Sequence, residues 1–361
     1  MKNVLLLLLT AIIWGFAFCA QSKGMEHVGP FAFNCLRSLI GALFLIPCYH
    51  FLDRLKPSYQ LEAERKLSRK VLLVGGICCG IVFSVASCAQ QIGIKYTTVG
   101  KAGFITATYI LIVPLLGLFM GKKCNMYIWL GVGLAVIGLY LLCITEKLTI
   151  QKGDLYVLAC AFLFSLHILV IDYFSPKCES VRLSCIQFLV AGILCSIPML
   201  AVEGLPSLSS VLAAKYSILY AGILSSGVAY TLQIIAQKDF NPTIASLIMS
   251  LESTFAVIGG WLILNQKLTL REFFGCALMF IAMSSHKYHR VHKPSHNPRS
   301  NTQCQTSQRQ PTQSISGQKD SCRDTERKHQ NRIQMTIEGM SIASPMSASR
   351  HSMCIPPKIQ P

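Results

Sequence analysis

Along most of this chain, apolar residues come in runs of about twenty, separated by short polar gaps. A helix needs about 20 predominantly apolar residues to cross the hydrocarbon layer of a bilayer, so each run reads as one span. Ten are predicted, near residues 3–22, 31–52, 70–91, 99–120, 124–144, 153–174, 181–201, 213–236, 242–263 and 268–288. Connections are short except 53–69, a polar loop. The fold class that follows is an all-α integral membrane protein of ten transmembrane helices. The first run lies behind Lys2 and could imitate a signal peptide, but no A-x-A cleavage site follows it. Trp14, Phe16 and Phe18 carry it past the usual length of a signal-peptide core, so an uncleaved helix is expected.

Composition agrees. The chain is 52% hydrophobic and only 14% charged, against roughly a quarter charged in a soluble domain. Residues 289–361 differ from the rest: they hold 11 Lys/Arg against 4 Asp/Glu, with many Ser, Gln, Pro and His. That tail has no apolar period and is expected to be disordered, basic and cytoplasmic. The net charge of +17 raises nucleic acid as a partner, but no basic stripe with interleaved aromatics lies in the body. No nucleic-acid role is expected. The sixteen cysteines fall mostly inside apolar runs without C-x-x-C spacing, which argues for packing residues and neither a metal site nor a disulfide framework.

Basic residues orient the spans. With the N-terminus inside, cytoplasmic loops would carry 12 Lys/Arg and external loops 8. This favours both termini in the cytoplasm of a multi-pass protein of the cell membrane.

The chain also repeats itself. A shift of 150 pairs Ala11 with Ala161 and Trp14 with Phe164. A shift of 147 pairs Gly75 with Gly222 and Gln90 with Gln237, and one of 144 pairs Lys123 with Lys267 and Gly131 with Gly275. The halves are read as residues 1–145 (spans 1–5) and 153–288 (spans 6–10). An odd number of spans per repeat forces opposite orientations. Inverted repeats of that kind are the hallmark of secondary transporters with a midplane site between the halves.

Several stretches resemble the EamA-type permeases of the drug/metabolite transporter superfamily, over about residues 5–288. The likeness rests on Trp14-Gly15, Pro30…Arg37 and Lys101-Ala-Gly-Phe-Ile-Thr-Ala-Thr-Tyr109…Val113-Pro114 in the first half. In the second it rests on Gly227-Val-Ala-Tyr230-Thr-Leu-Gln233 and Ser250-Leu-Glu252-Ser…Gly260-Trp261. The family usually carries a Gly-Glu pair at the end of the ninth span, where this chain has Asn265-Gln266. The resemblance implies a carrier of small metabolites or toxic compounds, without naming the substrate.

The residues on which transport would depend are polar groups inside spans. Glu252 stands about midway along span 9, where a carboxylate costs on the order of 3 kcal/mol by insertion scales. It is either a proton- or cation-handling group or a buried structural carboxylate. Arg37, seven residues into span 2, could hold a substrate carboxylate, pair with Glu252, or brace helix ends. Tyr230, Gln233 and Gln237 share one helix face by their i, i+3, i+7 spacing. Tyr230 and Gln233 are read as cavity lining, and Gln90 and Gln237 as structural. Trp14, on a face with Thr10, Ala17 and Gln21, either stacks on a cationic or aromatic substrate or fills space. Thr106 and Tyr109 join the same candidate cavity, and Ser250 does so as the repeat partner of Thr106. His167 is the weaker candidate, more often a hydrogen-bonded packing residue.

The leading expectation is a secondary carrier with a small-molecule substrate, the lipid bilayer as its surroundings, no cofactor and no metal; a homodimer stays open. An intramembrane enzyme is the second class, but H-E-x-x-H and G-x-S-x-G are missing. A channel or sensor is the third. No P-loop motif occurs, so no ATP-driven step is expected from this chain.

Overall fold

The computed structural model describes residues 2–55, 69–119, 121, 126–143, 151–238, 240–264 and 269–291. Residues 56–68 of the polar loop, the Asn265-Gln266 pair and the tail beyond Val291 lie outside them. Among the described residues every regular element is helical. In chain order these are α1 (Lys2–Gly24), α2 (Pro30–Leu55), α3 (Arg69–Tyr96), α4 (Val99–Ala107), α5 (Tyr109–Phe119), α6 (Met126–Cys143) and α7 (Lys152–Phe174). There follow α8 (Ser180–Pro198), α9 (Leu208–Ala213), α10 (Lys215–Leu219), α11 (Tyr230–Gln237), α12 (Pro242–Met249), α13 (Glu252–Leu264) and α14 (Leu270–Val291). Two stretches are wound wider, as π-helix: Met199–Glu203 after α8, and Tyr220–Ala229 between α10 and α11.

Eight helical segments among the described residues are long and apolar enough to cross a bilayer: Lys2–Gly24, Pro30–Leu55, Arg69–Tyr96, Val99–Phe119, Lys152–Lys177, Ser180–Glu203, Lys215–Gln237 and Pro242–Ile263. The other two expected spans are present as helices, α6 and α14, packed on each other. Within α6 the apolar stretch Ile128–Leu141 falls short of that length. The distribution of side chains is the reverse of a soluble protein's. Leu43 (68% exposed), Leu130 (63%) and Phe273 (60%) face outward, while Gln21, Asn34, Arg37, Gln91, Gln187 and Gln233 are buried. Apolar surface of that extent suits lipid, where only a helix can satisfy its own backbone. The protein crosses the membrane several times.

Helix ends are closed by side chains, as sequence signals allow. Asn241 accepts from Thr243 N at 2.9 Å with Pro242 in the first turn, and Glu179 accepts from Arg182 N at 2.7 Å. The start of α2 is capped from afar. The Glu203 carboxylate, after α8, accepts from Phe31 N at 2.9 Å and Ala32 N at 2.8 Å. At the opposite end of the pair, Asp53 of α2 is bound by the Arg182 guanidinium at the start of α8. Each helix thus has its end against the other's beginning, so α2 and α8 run antiparallel.

Helix α1 packs against α13 and against the wide segment 220–229; α3 packs against α7 and α8; α2 packs against α8 and segment 220–229; α4 and α5 pack against α7. Two spans are broken in mid-course. Between α4 and α5 lies Thr108, whose hydroxyl donates to Ile105 O at 2.6 Å. Between α12 and α13 lie Ser250 and Leu251, where Ser250 Oγ donates to Leu247 O and Ser253 Oγ to Ser250 O, both at 2.8 Å. Hydroxyls take up carbonyls that a continuous helix would have bonded itself.

One very close inter-helix approach involves Gly15 of α1. A Cβ there would lie 2.3 Å from Phe255 Cβ and 2.7–2.8 Å from the backbone of Phe255 and Ala256, atoms that cannot swing aside. A Cβ on Gly133 meets nothing within 4 Å. Gly15→Ala is therefore expected to lower stability by about 1–3 kcal/mol, the usual cost of overpacking, despite alanine's better helix propensity. Gly133→Ala should be neutral or slightly stabilising. Thermal unfolding in detergent, with both variants side by side, checks this.

Candidate functional site

The breaks and the wide segment converge on one cavity. Helix α1 contributes Trp14, Ala17, Phe18 and Gln21; α2 contributes Arg37; α3 contributes Gln90; and the α4–α5 break contributes Thr106 and Tyr109. Phe164, His167 and Ile168 come from α7, Ser225 and Tyr230 from the wide segment and the start of α11, Gln233 from α11, and Glu252 from the start of α13.

One wall is aromatic. Trp14 and Tyr230 have ring centroids 4.5 Å apart, and Tyr230 stands edge-on to Phe83 at 5.0 Å and to Phe188 at 5.4 Å. His167 lies 5.9 Å from the Tyr230 ring, and its Nε2 shares a hydrogen bond of 2.9 Å with Gln187 Oε1. Offset and edge-on contacts of this kind let the edge of one ring meet the π-face of another.

The opposite chemistry sits among these rings. Arg37 is only 2% exposed; its Nε and Nη2 have no hydrogen-bond partner, and its guanidinium carbon lies 5.7 Å from the Phe83 ring centroid. Glu252 is 4% exposed, with Oε1 unbonded. It is the first residue after the α12–α13 break, where the amide dipoles of a helix N-terminus favour negative charge. Tyr109, the first residue after the other break, lines the same cavity with its buried hydroxyl unbonded. The two charges share the cavity without forming an ion pair with each other. Two ionisable groups held out of water, neither paired with the other, are costly whenever both are charged unless something else supplies the counter-charges. Gln90 Nε2 donates to Thr106 Oγ1 at 3.3 Å, and Gln233 Oε1 is buried without a partner.

Of the residues singled out from sequence, Trp14, Arg37, Thr106, Tyr109, Tyr230, Gln233 and Glu252 are brought together here. Ser250 is not: it is buried and closes the end of α12 through Leu247 O. The pairing of Arg37 with Glu252 that sequence left open is not made. Ala17 and Gln21 reach the cavity, while Thr10 donates instead to Leu6 O and Ala229 O. Gln90, read as structural, lines the cavity; Gln237 is buried outside it. Sequence reasoning passed over Ser225 in the cavity and the Phe83 and Phe188 rings packed edge-on against Tyr230. Ser225 precedes Tyr230 by five residues, a spacing an α-helical wheel sets on another face, and phenylalanines inside apolar runs carry no signal of their own. Among the described residues no group of three or more His, Cys, Asp or Glu is gathered to hold a metal ion.

The family model of the EamA-like transporters matches residues 1–144 and 151–284. The chain belongs to the EamA-like transporter family. It is 29% identical over 278 residues to a protein of Archaeoglobus fulgidus described as an uncharacterized transporter, covering 77% of this chain and 83% of that one. It is 24% identical over 285 residues to the uncharacterized transporter YoaV of Bacillus subtilis, covering 77% of this chain and 94% of YoaV. A crystal structure of a protein 17% identical in sequence covers 80% of this chain and 98% of its own, with a TM-score of 0.61; that likeness concerns the fold. The EamA assignment and these relatives make the chain a membrane transporter, and they point away from an enzyme.

The physics of Arg37 gives a prediction that separates bracing from binding. Replacing a buried, unpaired charge with an apolar side chain of similar length is typically neutral or stabilising, whereas removing a brace costs about 3–5 kcal/mol. Arg37→Met in this EamA-family protein should keep or raise the melting temperature in detergent. A large fall would assign Arg37 to scaffolding.

Proposed function

We propose that the protein is a secondary carrier that moves small metabolites or drugs across the cell membrane by alternating access around this cavity, and that its solutes carry an anionic and a cationic group at once. The observation that carries the reading is the coexistence of Arg37 and Glu252 in one cavity, both buried and not paired with each other. A solute with a carboxylate or similar anion would satisfy the Arg37 fork, and its ammonium would meet Glu252 and Tyr109. The aromatic wall formed by Trp14 and Tyr230 would receive the remaining apolar part. Amide and hydroxyl groups of Gln90, Gln233 and Thr106 supply neutral contacts weak enough to be exchanged for water on release.

Alternating access draws support from the internal repeat. In this reading there are ten spans, five in each half, residues 1–145 and 153–288, related by inversion. The shift of 150 sets Asp53 opposite Glu203, and these two carboxylates hold the beginnings of α8 and α2 respectively. The same shift makes α2 and α8 repeat partners, and they are antiparallel, as inversion requires. The shift of 144 sets Thr108 opposite Glu252, so the two helix breaks also correspond. Interrupted spans at a midplane site are how secondary transporters expose backbone and helix ends to a solute. Both termini are taken to be cytoplasmic, which sets Lys70 inside and Arg271 outside. Coupling to protons or simple exchange would drive the cycle.

In proteoliposomes, uptake and counterflow of zwitterionic metabolites should saturate, with analogues lacking either charge transported poorly. Each lost charge-assisted hydrogen bond is worth about 1.5–3 kcal/mol, so Arg37→Met and Glu252→Gln should each weaken apparent affinity roughly 10–150-fold. Any pH dependence that belongs to Glu252 should vanish in Glu252→Gln. Flux that rises linearly with the gradient and never saturates would reject the carrier in favour of a channel. Cysteine labelling at positions 70 and 271 should report opposite sides of the membrane; labelling from one side would remove the inversion.

A further inference from the structure

Away from the cavity, helices α3 and α8 run side by side in the same direction. A Cβ on Gly80 of α3 would come within 2.8 Å of Gln187 O of α8. Eight residues further along both helices stand Cys88 and Cys195, with their sulfurs 3.5 Å apart. Cys195 is fully buried and Cys88 partly exposed, and Asn34 of α2 reaches both Cys88 Sγ, at 3.9 Å, and Ser87 O, at 3.0 Å. Nothing in the transport cycle described above uses these thiols.

We infer that Cys88 and Cys195 form a redox-modification site: a dithiol that a small peroxide converts to a disulfide, tying α3 to α8. The sulfurs need to close by about 1.5 Å to reach bonding distance, a side-chain adjustment, because the helices are already in contact along this interface. The Cys88 thiolate attacks one oxygen of the peroxide, giving a sulfenic acid and releasing water after proton uptake. The Cys195 sulfur then attacks the sulfenic sulfur, the S–O bond breaks, and a second water leaves. Two thiols and one hydrogen peroxide become one disulfide and two waters, and an external thiol reverses the change.

The consequence for transport rests on the carrier reading. Helices α3 and α8 belong to the two different repeats, so the bond fixes one half against the other. The shift of 150 sets Leu45 opposite Cys195, so the repeat supplies no matching thiol at the other end of the molecule. With the N-terminus inside, Cys88 and Cys195 both lie towards the external ends of their spans, where oxidants arrive. Oxidation would therefore stop the halves from separating at that face alone and arrest the cycle.

The experiment treats the purified full chain in proteoliposomes with hydrogen peroxide, then with a reductant. Non-reducing peptide mapping by mass spectrometry should recover the 88–195 linkage from wild type and lose it after reduction. Solute uptake should fall to the protein-free background on oxidation and return on reduction. Cys88→Ser and Cys195→Ser should transport as wild type does and be indifferent to peroxide. Absence of the linkage, or a linkage from Cys35 to Cys195 in its place, overturns the site whatever transport does. A clean 88–195 linkage with undiminished uptake overturns the arrest. Because the linkage is read by mass, a protein that moves no tested solute leaves the modification site itself fully testable.

Discussion

In lipid, folding gains little from hiding apolar side chains, since the surroundings are as apolar as they are. What must be solved instead is the fate of every polar group that enters the layer. This chain solves it by turning its amides, hydroxyls and charges inward and joining helices end to beginning. The reciprocal holds between α2 and α8 are the clearest case: the carboxylate of Glu203 takes the free amides of Phe31 and Ala32, and Asp53 takes Arg182. With those ends tied, α2 and α8 stand antiparallel, α3 lies along α8, and the wide segment 220–229 lies along α2. The cavity is what remains between them where the breaks in two further spans forbid close packing.

That economy makes the unbonded groups informative. Buried polar atoms are normally satisfied, and the exceptions ask for a cause. Here several of them, on Trp14, Arg37, Tyr109, Gln233 and Glu252, border the same space. A scaffold with so many idle donors and acceptors in one place is poorly optimised for rigidity and well suited to receiving polar guests that come and go.

The helices were legible in sequence because twenty apolar residues in a row leave few alternatives; among the described residues eight segments are long and apolar enough to cross a bilayer, and helix ends differ from the expected bounds by only a few residues, as at Tyr96 and Leu55. Charged and aromatic members of the cavity were legible too, since Arg37, Glu252 and Trp14 stand out against apolar runs. What sequence could not give were relations that depend on three dimensions. It offered an ion pair between Arg37 and Glu252 that the helices do not make. It treated Gln90 as an end-of-span residue, although α3 continues to Tyr96 and carries that amide to the cavity. It gave Ser250 a place beside its repeat partner Thr106, whereas the break at Ser250 turns its hydroxyl onto the carbonyl of Leu247. The contact between Cys88 and Cys195 has no trace in spacing, because 107 residues separate them and only the in-register packing of α3 on α8 makes them neighbours.

The π-helical segment Tyr220–Ala229 has a consequence for angular position. In an α-helix each residue advances about 100°, so residues five apart point about 140° away from each other. Widening the winding to roughly 4.4 residues per turn reduces the advance to about 82°, and the same five steps then leave only some 50° between them. Ser225 and Tyr230 thereby face a common direction. An insertion or deletion of one residue upstream of Tyr230 that restored ordinary winding would rotate the hydroxyl of Ser225 out of the cavity while leaving Tyr230 and Gln233 where they are.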